Sequence, residues 1–137
     1  NNGTNIGIGI TSPTYKLHVQ GTAFSGGWYT TSDSRYKINV SKIDGALSKI
    51  MNLRGVSFNW DRANFPENNF PEKREYGFIA QEIEKEFPNL VNTDETGYKS
   101  VMYDRFSAIL LEAIKEQQVE IEELHQKILD LELKLGK

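Results

Sequence analysis

One stretch of the chain, Thr31-Ser32-Asp33-Ser34-Arg35-Tyr36-Lys37, sets a hydroxyl, a carboxylate, a guanidinium and an amine side by side. Hydroxyls act as nucleophiles, and amines or carboxylates as bases, only when they are held together, so the grouping itself is the signal. Elsewhere the inventory is thin. His18 and His125 stand apart from each other and from any serine with an acidic partner. With no Cys and only these two histidines, the chain has no disulfide framework and no zinc ligand set, and neither a metal nor a cofactor is expected. The grouped residues also have an ordinary reading: Ser32 or Asp33 caps a short turn, and Asp33 pairs with Lys37 four places on.

The whole chain narrows the setting. Its 137 residues carry 16 Lys+Arg against 19 Asp+Glu, a net charge of −3, and 38% hydrophobic residues, which allows one medium domain with a core and an appended stalk. No block of Lys and Arg offers a footprint for DNA or RNA, and no apolar stretch approaches the roughly 20 residues of a membrane span. The expectation is a protein without nucleic acid or membrane partners. The chain begins at Asn1 with neither a charged leader nor an apolar one behind it, and it reads as the C-terminal part of a longer polypeptide.

Three zones must position the chemistry. Residues 1–31 are rich in Gly, Thr, Ser and Asn, threaded by Ile6-Gly7-Ile8-Gly9-Ile10 and Leu17-His18-Val19, with a turn at Thr11-Ser12-Pro13-Thr14. That alternation predicts short strands, too small and glycine-rich to bury a core alone. Either the central zone covers them, or several chains wrap together as in a fibrous β-stalk.

Residues 32–103 read as a compact α+β unit. Asp44 to Met51 predicts a short helix with Leu47, Ile50 and Met51 on one face, and Gly55 to Trp60 alternates as a strand. Asn64 to Glu75, with two prolines and many charged or Asn residues, reads as an exposed excursion. The run Tyr76-Gly77-Phe78-Ile79-Ala80 leads into a helix with Ile83 and Phe87 on one face, closed by Pro88, and Val91 with Tyr98 to Val101 predicts a hairpin around Asp94-Glu95-Thr96-Gly97.

Residues 104–137 hold no Pro or Gly before Gly136 and carry a heptad seam. Ile114, Ile121, Ile128 and Leu135 take one core position; Leu110, Leu124 and Leu131 take the other, with Gln117 as its polar member. In a parallel pair Glu120 faces the neighbour's His125 and Lys127 faces Glu132. Ile and Leu at these positions lean towards dimers, whereas the buried Gln and the stalk argue for more chains. The competing reading is an amphipathic helix lying on its own domain.

The order of motifs resembles a known family. Ser32-Asp33-x-Arg35-x-Lys37 followed by Ile38-Asn39, then Tyr76-Gly77-Phe78-Ile79-Ala80-Gln81-Glu82 with Pro88 closing the helix, then Ala113-Ile114-Lys115-Glu116, is similar to the intramolecular chaperone auto-processing domain. That domain ends phage endosialidase tailspikes, tail fibres and neck appendages, with a related copy in the myelin regulatory factor. The resemblance runs from Ser32 to the C-terminus, and Asn5-Ile6-Gly7-Ile8-Gly9 with Ser12 to Val19 resembles the repeats that precede it in fibres.

The resemblance implies a homotrimeric folding clamp for the β-stalk of its own polypeptide, in a phage virion or in host cytoplasm during virion assembly. It implies release by self-cleavage through a Ser32–Lys37 dyad, at the bond after Ser32 with the bond before it as fallback. Asp33 and Arg35 orient the loop in this reading, while Gln81 and Glu82 either support the site or serve a helix N-terminus. The fold it implies is α+β: a short β-stalk, a small mixed α/β domain, and a long C-terminal helix in a parallel trimeric coiled coil.

Chemistry constrains that reading. A free lysine, with pKa near 10.4, is neutral at pH 7 in only about 4 of 10,000 molecules, so such a base needs burial that lowers its pKa by roughly 2 to 3 units. Tyr36 and Ile38 flank Lys37, and contact between chains would complete the enclosure on assembly. A separation of five puts two side chains on opposite faces of a strand and about 140° apart on a helix, so the segment must turn or the pair must form between chains. Attack by Ser32 on its own carbonyl closes a strained four-membered ring; the Thr31 carbonyl or a neighbouring chain is easier to reach. The alternative function is a non-cleaving trimerisation or receptor-binding tip of a fibre.

Overall fold

A computed structural model describes residue 3 and residues 5–136; Asn1, Asn2, Thr4 and Lys137, at the ends of the first and third sequence zones, lie outside the described residues. The chain divides into two compact units. One takes the described residues up to Asn39 together with Ser57–Tyr76, and the other takes Val40–Val56 together with the described residues from Gly77 onward.

In the first unit β1 (Ile6–Ile8) and β2 (Leu17–Val19) pair in parallel, with Ile6 opposite Leu17, Gly7 opposite His18 and Ile8 opposite Val19. The glycines of the Ile-Gly-Ile-Gly run have a steric reason: a Cβ on Gly7 would sit 2.5 Å from the Ile10 carbonyl oxygen, and Gly9, at φ +73°, faces the Gln20 carbonyl. The Asn5 side-chain amide donates to the Pro13 carbonyl at 2.9 Å and ties the turn down.

β3 (Val56–Phe58) pairs with β4 (Glu75–Gly77), and the excursion between them is pinned by its own aromatics. Trp60 stacks on Phe70 at 4.1 Å, Phe58 meets Trp60 edge-on at 5.0 Å, and the Trp60 indole N–H donates to Glu75 at 2.9 Å. The excursion stays outside the core, with no residue of 64–75 buried, and Phe70 folds back on Trp60 because ring stacking adds specific geometry to apolar contact.

The second unit holds the core. α1 (Ala46–Met51), α2 (Ala80–Glu86), the antiparallel hairpin of β5 (Val91–Thr93) and β6 (Lys99–Val101), and α3 (Phe106–Lys134) surround Ala46, Ile83, Phe87, Leu90, Phe106, Ile109 and Ala113. Ile83 and Phe87 are buried on one face of α2 as their spacing requires, and Pro88 follows directly on the helix end. One position differs from expectation. Met51 is 74% exposed, and the fully buried residue of α1 is Ala46, since Gly45 caps the helix and turns its small first residue inward.

α3 runs for 29 residues, about 44 Å at 1.5 Å per residue. Phe106, Ile109 and Ala113 face the unit's own core, so the reading of a helix lying on its own domain holds for this first part. The heptad residues occupy another side, from Leu110 at 44% to Leu135 at 73% exposed, and every described residue from position 117 onward is exposed. Among the described residues no helix is long and apolar enough to cross a membrane.

Candidate functional site

The stretch with the grouped polar residues folds as a single 3₁₀ turn, Ser34–Tyr36. Asp33, in extended conformation at φ −62° and ψ 136°, is its N-cap: the carboxylate Oδ1 accepts from the Arg35 backbone N–H at 2.9 Å. The Arg35 guanidinium folds back over the same carboxylate, Nε donating to Oδ1 at 3.0 Å and Nη2 to Oδ2 at 2.8 Å. Two backbone bonds complete the turn, Tyr36 N–H to the Asp33 carbonyl at 3.1 Å and Lys37 N–H to the Ser34 carbonyl at 3.0 Å.

The turn brings the ends of the motif together. Lys37 Nζ donates to Ser32 Oγ at 2.7 Å. The expected Asp33–Lys37 pair does not form, because the planar fork of Arg35 occupies both carboxylate oxygens and leaves Lys37 to the serine. The guanidinium beside Asp33 holds its carboxyl below the usual carboxylate range, with the Arg35 backbone N–H adding to the effect, and Asp33 in turn raises Arg35. Ser32, Lys37, Tyr36 and Ile38 are all exposed in the single chain, the last two at 75% and 85%.

Gln81 and Glu82 lie in the first turn of α2, in the second unit. There Glu82 receives the Arg54 guanidinium at 2.7 to 3.1 Å, which lowers its pKa despite partial desolvation. Its partner in the structure is thus a structural arginine linking the end of the α1 region to α2. An acid near a helix N-terminus also suits the helix dipole.

One residue with a clear role escaped the sequence reading. The N-cap of α1 is Gly45, which offers no side-chain cap, and the Glu116 carboxylate from α3 accepts instead from the backbone N–H groups of Ala46 at 3.2 Å and Leu47 at 2.7 Å. Those bonds, the Leu47 one foremost, draw the Glu116 carboxyl below its usual range. The available signal was the spacing of Phe106, Ile109, Ala113 and Glu116, an inward helical face ending in an acid.

Residues 32–92 match the model of a peptidase family described as the chaperone of endosialidase. This segment belongs to that family. The match opens on Ser32, the first residue of the hydrogen-bonded turn, and closes within β5. Known relatives extend the similarity in both directions. The long tail fiber protein Gp37 of Enterobacteria phage M1 is 33% identical over 120 residues, 80% of this chain and 47% of the relative, and its counterpart in phage Ox2 matches equally. The myelin gene regulatory factor-like A protein of Dictyostelium discoideum is 28% identical over 146 residues, covering 95% of this chain and 16% of that protein. The chain spans about half the length of the first two fibre relatives.

Proposed function

We propose that this chain is the C-terminal intramolecular chaperone of a phage fibre, tailspike or neck appendage, acting in the virion or in host cytoplasm during its assembly, and released by autoproteolysis at Ser32. The observation that carries the proposal is the 2.7 Å contact between Lys37 Nζ and Ser32 Oγ, at the start of the segment shared with the chaperone of endosialidase family. In the cleavage step a neutral Lys37 amine takes the hydroxyl proton as Ser32 Oγ attacks a peptide carbonyl. Lys37 then returns that proton to the leaving amine as the C–N bond breaks, leaving an ester on Ser32 that water hydrolyses to acid and alcohol. The scissile bond is the one after Ser32, attacked by the Ser32 of a neighbouring chain because attack on its own carbonyl closes a four-membered ring; the fallback is the bond before it, where Ser32 reaches the Thr31 carbonyl of its own chain and its own backbone amine leaves.

Assembly supplies what one chain lacks. The heptad residues of α3 associate in parallel as a homotrimer, with Gln117 at a polar core layer and Glu120–His125 and Lys127–Glu132 as flanking pairs between neighbours. Residues 1–31 end the β-stalk, 32–103 form the auto-processing domain and 104–137 the coiled coil. Enclosure of the Ser32–Lys37 pair by neighbouring chains would make the amine a competent base, so that cleavage follows correct folding. The exposure of the pair in one chain also favours a second reading, a permanent trimerisation or receptor-binding tip that never cleaves. Denaturing electrophoresis with intact-mass measurement on the native chain separates the two: fragments 1–32 and 33–137, or 1–31 and 32–137 for the fallback bond, support the proteolytic reading, and a single intact band supports the tip.

A further inference from the structure

The residues around the Ser32–Lys37 contact close a ring whose every bond joins positions no more than five apart. A lone 3₁₀ turn with two backbone bonds has little stability of its own, since nucleating a turn fixes several dihedrals for few hydrogen bonds. What adds to it here is the Asp33 carboxylate, which uses one oxygen for the backbone N–H of Arg35 and both oxygens for its guanidinium. Neither a strand nor a helix would bring side chains five apart together. Whether Lys37 meets Ser32 therefore depends on whether this turn is populated.

We infer that Asp33, clamped by Arg35, is the positioning residue that assembles nucleophile and base within a single chain, so that association with other copies contributes enclosure and not the pairing itself. The inference rests on the proteolytic reading and deepens it. Asp33 and Arg35 touch neither reacting atom through the bonds described; they act through the backbone path from Ser32 to Lys37. The Arg35 side chain is 83% exposed, so its grip on Asp33 rests on the fork itself and not on burial.

Two measurements on the full chain test it. In the first, chains carrying Ser32→Ala are synthesised together with chains carrying Lys37→Ala, distinguished by a mass label, so that mixed oligomers form. A pair built inside one chain gives no cleavage in the mixture, whereas restored cleavage would mean that serine and lysine meet across chains and would overturn the inference.

In the second, cleavage rates are followed by intact mass with oligomer size checked by light scattering. Loss of the cap in Asp33→Ala should slow cleavage about tenfold, the scale at which an N-cap biases its turn. Asp33→Asn, which keeps an oxygen for the Arg35 N–H, should recover most of that loss, about threefold or better, and Arg35→Ala, which keeps the cap and removes the fork, should fall between. Rescue by Asn distinguishes positioning from a general need for charge beside the cleaved bond. Native rates in both Asp33→Ala and Arg35→Ala, with Ser32→Ala inactive, would sink the clamp and leave the Ser–Lys reading standing. Continued cleavage in Ser32→Ala would instead remove the reading on which the clamp rests.

Discussion

The two units are held by different forces. All the buried hydrophobic residues of the core lie in the second unit, packed where α1, α2 and α3 meet, whereas residues 21–42, which include the Ser32–Lys37 turn, are exposed throughout. In the first unit order comes from short-range bonds and ring stacking: the Asp33–Arg35 fork, the Asn5–Pro13 tie and the Trp60–Phe70 stack. Apolar burial makes a unit that keeps its shape alone, while exposed local bonds set geometry at little stability. A site built the second way can hold its atoms in place and still wait for its surroundings.

The contrast can be broken most directly at the turn. Ser32→Ala and Lys37→Ala should each abolish cleavage with oligomer mass and thermal unfolding unchanged, because neither side chain contributes to the core. Clipping at the native rate in either variant, seen by intact mass, would show that the exposed turn has no chemistry to protect.

A second large effect is expected on the seam. Placing Asp at both Ile121 and Ile128 puts charges where chains should meet, each unpaired buried charge costing several kcal/mol, and the oligomer should dissociate while Phe106, Ile109 and Ala113 keep the second unit folded. Light scattering should report a monomer with its α-helical circular dichroism reduced but present, and the cleaved fraction should drop. An unchanged mass would refute the seam.

Within the second unit, Ile83→Ala should cost about 2–5 kcal/mol in chemical denaturation, as for other buried large-to-small changes. Both tryptophans, Trp28 and Trp60, belong to the first unit, so their fluorescence and the far-ultraviolet signal of α3 report the two units separately. The variant should lower the midpoint of the α3 signal. A shift confined to tryptophan fluorescence would mean that the division of forces is drawn in the wrong place.

The smallest effect belongs to Glu116. Its carboxyl is lowered from an ordinary value of 4.5 by the α1 backbone N–H groups, so its contribution is present above that value and fades as pH falls through the lower folded pKa. Glu116→Gln should therefore lower the thermal midpoint at neutral pH, and the difference from the native chain should narrow below about pH 4.5. A gap that stays constant on acidification would exclude the capping role.

What was legible in the sequence follows from the reach of each interaction. The continuous helix of α3 and the Ile83–Phe87 face rest on repeats within one element, and the β5–β6 hairpin on a turn between adjacent segments, so local pattern exposes them directly. Met51 was misplaced because α1 is under two turns long, so its inward face depends on where Gly45 lets it start. The partner of Asp33 was missed because both Arg35 and Lys37 are within reach in sequence and only the 3₁₀ geometry chooses between them. Glu116 capping α1 spans about 70 positions, and no local pattern carries such a bond.

The parallel pairing of β1 and β2 has a consequence for length. Each residue of β1 meets the one eleven places on, running in the same direction, so the chain does not double back but climbs. One pass advances by a single strand spacing, about 4.8 Å. Any run of such passes would work as a ruler: adding or removing one whole repeat changes height by that step and preserves which residues face each other, whereas a change of one or two residues must be absorbed in the loop between strands or it shifts every neighbour out of register.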